Sequence, residues 1–140
     1  MKFLRVITAL IVFWPVMEKP SHAQNYAGLR QSAIIKLIGI ELPEFSKQNG
    51  IINDTHKYLR YETDDGLQTL LVFLDDKDIC HEVRLNFDES VLKEKMKEFD
   101  TKYNRINDST WIDKKRGKEF TISLKDETWY YSASIRQAVK

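Results

Sequence analysis

Apolar side chains recur along this chain with two spacings. Two stretches step by three and four residues, and several shorter runs alternate by two. The first spacing lines one face of a helix and the second one face of a strand, so the pattern restricts the chain to a mixed architecture. Tyr26, Leu29, Ala33, Ile34, Leu37 and Ile38 predict a helix over 26–38, with Gly39 placed to end it. A loop containing Pro43 and Gly50 follows, through Asp54. Strands are expected over 56–63, 67–75 and 79–87, separated by the turns Asp64-Asp65-Gly66 and Asp75-Asp76-Lys77-Asp78. The run 70–74 is apolar on both faces, which places the second strand in the interior of its sheet.

Asp88 is suited to cap a second helix, and Leu92, Met96, Phe99, Tyr103 and Ile106 form one apolar stripe along it. Three more runs complete the chain. A short strand over 110–113 precedes a turn around Gly117. Phe120, Ile122 and Leu124 alternate with polar neighbours, and Trp129, Tyr131, Ala133 and Ile135 do the same in the last strand. The expected fold is α+β: helix, three strands, helix, three strands, an antiparallel sheet with both helices packed on one face. Ile52-Asn53-Asp54-Thr55 and Ile106-Asn107-Asp108-Ser109 hint at an internal repeat of two α-βββ halves. Turn composition accounts for both motifs, and also for the two glycosylation-like triplets inside them.

Residues 1–23 read as a leader rather than as part of the domain. Lys2 and Arg5 are its positive end, 6–17 is apolar but for Thr8 and Pro15, and Ser21-His22-Ala23 puts small residues at the −3 and −1 positions. The apolar run is shorter than the about 20 residues a spanning helix needs. Cleavage after Ala23 is expected, leaving a single domain over 24–140 in the periplasm or secreted space, with no stable membrane insertion. Glu18 and Lys19 make the segment before the cleavage site polar, the one feature that favours a retained anchor. Cys80 is the only cysteine and lies far from the cleavage site, against a lipid anchor.

Removal of the leader leaves 19 basic and 20 acidic residues, so no bulk field recruits nucleic acid. A lone cysteine forms no internal disulfide, and apolar burial must hold the fold together.

Few residues suggest chemistry. Cys80 and His81 are adjacent on an expected strand and so point to opposite faces, which excludes a thiol–imidazole pair. The alternation puts His81 with Ile79, Val83, Leu85 and Phe87 on the apolar face, and Cys80 with Glu82, Arg84 and Asn86 on the other. Asp64 and Asp65 are separated by the length of a strand from Asp75, Asp76 and Asp78, so they cannot share one cation. No metal or cofactor site is expected: phosphate loop, zinc-ligand spacing, nucleophile elbow and helical H-E-x-x-H are all missing from the sequence.

Lys114, Lys115, Arg116 and Lys118 pack four cations into one turn, suited to a protein or anionic envelope partner. Among the aromatics, Trp129 and Tyr131 are expected in the core and Tyr130 on the surface. These features favour a non-catalytic exported binding module using Lys114, Lys115, Arg116, Lys118 and Tyr130. The alternatives are a small hydrolase or glycan-processing enzyme with dispersed carboxylates, and a structural or self-associating envelope protein.

Overall fold

The computed structural model describes residues 25–48 and 57–138. The expected leader, the Ile52-Asn53-Asp54-Thr55 motif and His56 lie outside the described residues. A helix, α1 (Gln31–Glu41), precedes four strands: β1 (Phe45–Gln48), β2 (Lys57–Thr63), β3 (Gln68–Leu74) and β4 (Cys80–Phe87). A 3-10 turn at Glu89–Val91 then leads into α2 (Leu92–Lys102). Four more strands follow: β5 (Asn104–Asn107), β6 (Thr110–Lys115), β7 (Lys118–Asp126) and β8 (Tyr131–Gln137). All eight form one antiparallel sheet in the order β1-β2-β3-β4-β8-β7-β6-β5.

This corrects the expected α+β layout of two helices over a six-stranded sheet. Strands hold 51% of the described residues and helices 24%. The sheet gains β1 from a segment read as loop and β5 from the end of the expected helical stripe. Eight strands span roughly 34 Å, while an eleven-residue helix is about 16 Å long and about 10 Å across. Two such helices cannot form a layer over that width. The fold is therefore built on the sheet, with α2 seated against its β5–β6 end.

Local chemistry explains most boundaries. Asp88 caps the 3-10 turn, its carboxylate accepting from Ser90 N at 2.8 Å. Gly39 does not end α1, which continues to Glu41 and closes with Leu42 N donating to Ile38 O. α2 stops at Lys102, so Tyr103 is its cap and Ile106, the end of the expected stripe, is a 60% exposed residue of β5. The acidic turns are self-satisfied. Asp65 accepts from Thr63 Oγ1 and Leu67 N, and Asp75 from Lys77 N and Ile79 N. These bonds hold both carboxyls below the usual carboxylate range.

One face of the sheet carries the core. Leu59, Leu70, Val72, Val83, Leu85, Ile135, Ile122, Phe120 and Trp111 are buried there in one cluster with Tyr26, Ile34, Ile38 and Phe99. Phe99 meets Trp111 edge-on at 5.2 Å, and Phe87 stacks on Tyr131 at 6.0 Å. Tyr131 thus lies on the expected face, half-buried.

Each helix is followed by a four-stranded meander, and the two meanders join along β4 and β8. Turn geometry follows the same division. Gly66 and Gly117 take positive φ (71° and 69°) in the second turn of each meander, and Asp78 and Thr128 (63° and 77°) in the third. Asn107-Asp108-Ser109 connects the first two strands of its half, β5 and β6. Each part holds a helix and four strands, so the α-βββ halves expected from the sequence are not what the chain forms.

Candidate functional site

The four cations sit at one end of β7 and Tyr130 beyond the other. Lys114 and Lys115 end β6, Arg116 and Gly117 make a two-residue turn with positive φ at both, and Lys118 begins β7. β7 has nine residues, so roughly 30 Å separates this turn from Tyr130. They cannot serve one small ligand together. Arg116 is also occupied: its Nη2 donates to Ala27 O at 2.7 Å and its guanidinium lies over Phe120, 5.6 Å from the ring centre. That contact ties the hairpin to the first described residues, and it makes Arg116 a structural cation.

The loop between β7 and β8 departs most from expectation. Trp129, expected in the core, is 88% exposed, and the neighbouring Tyr130 is 42% exposed. The alternating pattern continues past the point where the strand begins, because the turn reaches to Tyr130. Asp126 Oδ1 accepts from Thr128 N at 2.9 Å, and Glu127 N donates to Tyr130 O at 2.9 Å. Between these bonds Thr128 is held at φ 77°, a conformation that costs a β-branched residue on the order of 1–3 kcal/mol. The loop thus keeps two large aromatics in water under backbone strain.

The sheet face opposite the core is covered by no helix or strand among the described residues, and it runs up to this loop. Its rows follow the strand register. One runs Tyr58, Phe73, Glu82, Arg136, Thr121 and Ile112; the next runs Arg60, Leu71, Arg84, Ser134, Ser123 and Thr110. Phe73 anchors the first meander's half, with Tyr58 at 5.9 Å, His81 at 6.3 Å and the Arg84 guanidinium over its ring at 5.0 Å. The second meander's half carries small hydroxyl side chains instead.

Glu82 is buried on this face. Burial pushes its carboxyl up, but Arg136 Nη2 at 2.9 Å and Arg84 Nη2 at 3.0 Å outweigh it and bring it below the usual range. Arg60 pairs with Glu62 beside it. Lys114 lies opposite Glu119 and Lys125 pairs with Glu127, so the cations Arg60, Arg84, Arg136, Lys114 and Lys125 exceed the carboxylates Glu62, Glu82, Glu119 and Glu127 by one.

Cys80 and His81 exchange the places the alternation gave them. The register shifts between Phe73 and Leu74, so Leu74 pairs with Cys80 and Phe73 with Glu82. Cys80 turns into the core, where burial pushes its thiol up to about 12, and His81 is exposed beside Phe73. Such a thiol is inert toward substrates at neutral pH. Among the described residues no group of three or more His, Cys, Asp or Glu is arranged to hold a metal ion. No helix among them is long and apolar enough to cross a membrane.

Two shallow clefts lie away from the open face. One is lined by Asn25, Lys102, Tyr103, Asp113 and Lys115, the other by Arg30, Gln31, Ser32, Ile35, Lys77 and Asp78. The first collects residues from three separate segments, which no local motif announces. The chain matches no protein-family model, no curated protein and no solved structure. Its function is therefore read from these surfaces alone.

Proposed function

We propose that this chain is an exported, non-catalytic binding module. It holds a protein partner with an acidic surface through the Trp129–Tyr130 loop and the adjoining open face. The observation that carries this reading is Trp129, a large aromatic kept in water by a strained and hydrogen-bonded turn. Tryptophan, tyrosine and arginine are the side chains that most often dominate binding energy at protein interfaces. The surplus of cations on the open face favours an acidic partner and speeds its encounter. Export rests on the charge and apolar pattern of residues 1–23. Asn25, Tyr26 and Ala27, directly after the expected cleavage position, are buried.

Pull-downs from envelope extract with residues 24–140 test the reading. Trp129→Ala is expected to weaken capture by roughly thirtyfold, the effect of losing about 2 kcal/mol at an aromatic anchor, with unfolding unchanged. Ser123→Arg, which raises a bulky side chain from the flat half of the face, is expected to block the same partner. Neutralising Lys114, Lys115 and Lys118 is expected to reduce capture only at low salt. A partner retained equally by all three variants contradicts the proposal.

The strain makes a separate prediction. Thr128→Gly is expected to stabilise the fold by about 1 kcal/mol in urea unfolding, because glycine adopts positive φ freely. It is also expected to weaken capture by loosening the loop. Unchanged stability would mean that the turn stores no strain.

A further inference from the structure

A buried carboxylate holds two arginines together near the middle of the open face. Glu82 is more than nine-tenths buried, and its Oε1 accepts from Arg84 Nη2 at 3.0 Å and from Arg136 Nη2 at 2.9 Å. The two nitrogens therefore flank one oxygen atom. Arg84 is steadied a second time by Phe73, whose ring its guanidinium covers at 5.0 Å. Each guanidinium has five N–H donors, and Glu82 engages one nitrogen of each. The Arg136 side chain is 62% exposed and that of Arg84 35%, so donors are left facing solvent. Ser134 stands opposite Arg84 in the register and Thr121 opposite Arg136, which puts hydroxyls on one side of the pair. On the other side Phe73 stands opposite Glu82, with the Tyr58 ring 5.9 Å beyond it.

We infer that Arg84 and Arg136 bind the phosphate group of a small soluble monoester, whose ring, that of a sugar or a phenol, rests on Phe73 and Tyr58. A carboxylate has two oxygens, and a single guanidinium fork satisfies both. A phosphate ester has three acceptor oxygens and a charge close to −2, enough for two guanidiniums and a neighbouring hydroxyl. Two cations over one carboxylate leave a positive excess to receive it, and the burial of Glu82 keeps its charge behind the guanidiniums. One strand spacing, about 4.8 Å, separates Phe73 from Glu82, so a ring esterified directly reaches the aromatic shelf. The site draws on no residue of the Trp129–Tyr130 loop, and a failed capture of a protein partner does not decide it.

The test is an NMR titration of the purified protein with phenyl phosphate at neutral pH. Saturable shifts centred on Phe73, Arg84 and Arg136 are expected. Inorganic phosphate, which has no ring for the shelf, is expected to bind about fivefold more weakly, and Phe73→Leu to remove that difference. Arg136→Gln leaves Glu82 paired with Arg84 and is expected to weaken phenyl phosphate about tenfold. Lys97→Gln removes the same charge from the exposed side of α2 and is expected to change nothing. Equal weakening by these two variants, or shifts centred on the basic turn at 114–118, overturns the inference. Benzoate bound as tightly as phenyl phosphate overturns the assignment to phosphate. The protein is expected not to float with vesicles of phosphatidylcholine and phosphatidic acid; flotation that Arg136→Gln abolishes would place the phosphate on a lipid and overturn the soluble ligand.

Discussion

Replacing Trp111 by alanine is expected to cost about 3–5 kcal/mol of unfolding free energy, enough to leave a domain of this size marginal. Trp111 is fully buried on β6, where its ring meets Phe99 of α2 edge-on at 5.2 Å. The Arg105 guanidinium lies 5.2 Å over the same ring, and Nε1 donates to Asp100 Oδ1 at 2.9 Å. One side chain therefore joins α2, β5 and β6, and alanine leaves a cavity that β6 and the short edge strand β5 cannot close. Trp111→Phe keeps most of the ring and gives up the hydrogen bond, so about 1–2 kcal/mol is expected. Urea unfolding of both variants checks the order. Equal losses would mean that the hydrogen bond, not the packing, carries the residue's contribution.

The second large effect concerns a lysine in the core. Lys95 of α2 is buried almost completely, and its Nζ donates to Glu98 Oε2 at 3.3 Å. Burial pulls its ammonium below the usual lysine range, against the attraction of Glu98 and Glu94. Removing the carboxylate leaves a charge with no good solvent, so Glu98→Ala is expected to destabilise by about 2–4 kcal/mol. The double variant Lys95→Met/Glu98→Gln replaces the pair with groups that tolerate burial, and is expected to match the wild type or exceed it by about 1–3 kcal/mol.

The same pair sets a pH dependence. The unfolded chain holds the Lys95 proton more tightly than the folded one. Stability should therefore rise with pH from the lowered folded pKa up to the free-lysine value of about 10.4. Lys102, lowered to about 8 by burial, adds to the rise and the raised Cys80 thiol opposes it, so the double variant should differ from the wild type by the Lys95 share alone. A double variant whose pH dependence over this window matches that of the wild type would contradict the burial argument.

Six of the eight strands are legible in the sequence, most by a wet and a dry face and β3 by its unbroken apolar run. β1 and β5 are not. β5 is exposed at all four residues and β1 buries only Phe45, so pairing at the sheet edges defines them, and pairing leaves no period. The helical stripe through Leu92, Met96 and Phe99 is real, but its continuation to Ile106 crosses the end of α2. That overrun hides β5 and makes the helical share look larger than it is. Cys80 and His81 are misplaced by a single register shift at Phe73–Leu74, which inverts every inference drawn from alternation on that side.

The candidate surfaces divide in the same way. Tyr130 is recognisable as exposed, while Trp129 is masked by a period-two pattern that runs into the turn. A β-branched residue at positive φ is visible only in the folded backbone. The charge run 114–118 is conspicuous, yet the fold commits Arg116 to Ala27 and parts the whole run from Tyr130. Lys102, Tyr103 and Asp113 are unremarkable where they stand in sequence. They line one cleft only when α2 and β6 converge.

Photo-crosslinking from the β7–β8 loop tests the central claim most directly. A benzophenone side chain at position 129 of the chain 24–140 should join to a specific protein in envelope extract. The same group at Ile40, a 70% exposed residue of α1, should not. A product formed from position 129 alone, and suppressed by unlabelled wild type but not by Trp129→Ala, is the predicted result. Equal products from positions 129 and 40, or competition as strong from Trp129→Ala as from wild type, would contradict it.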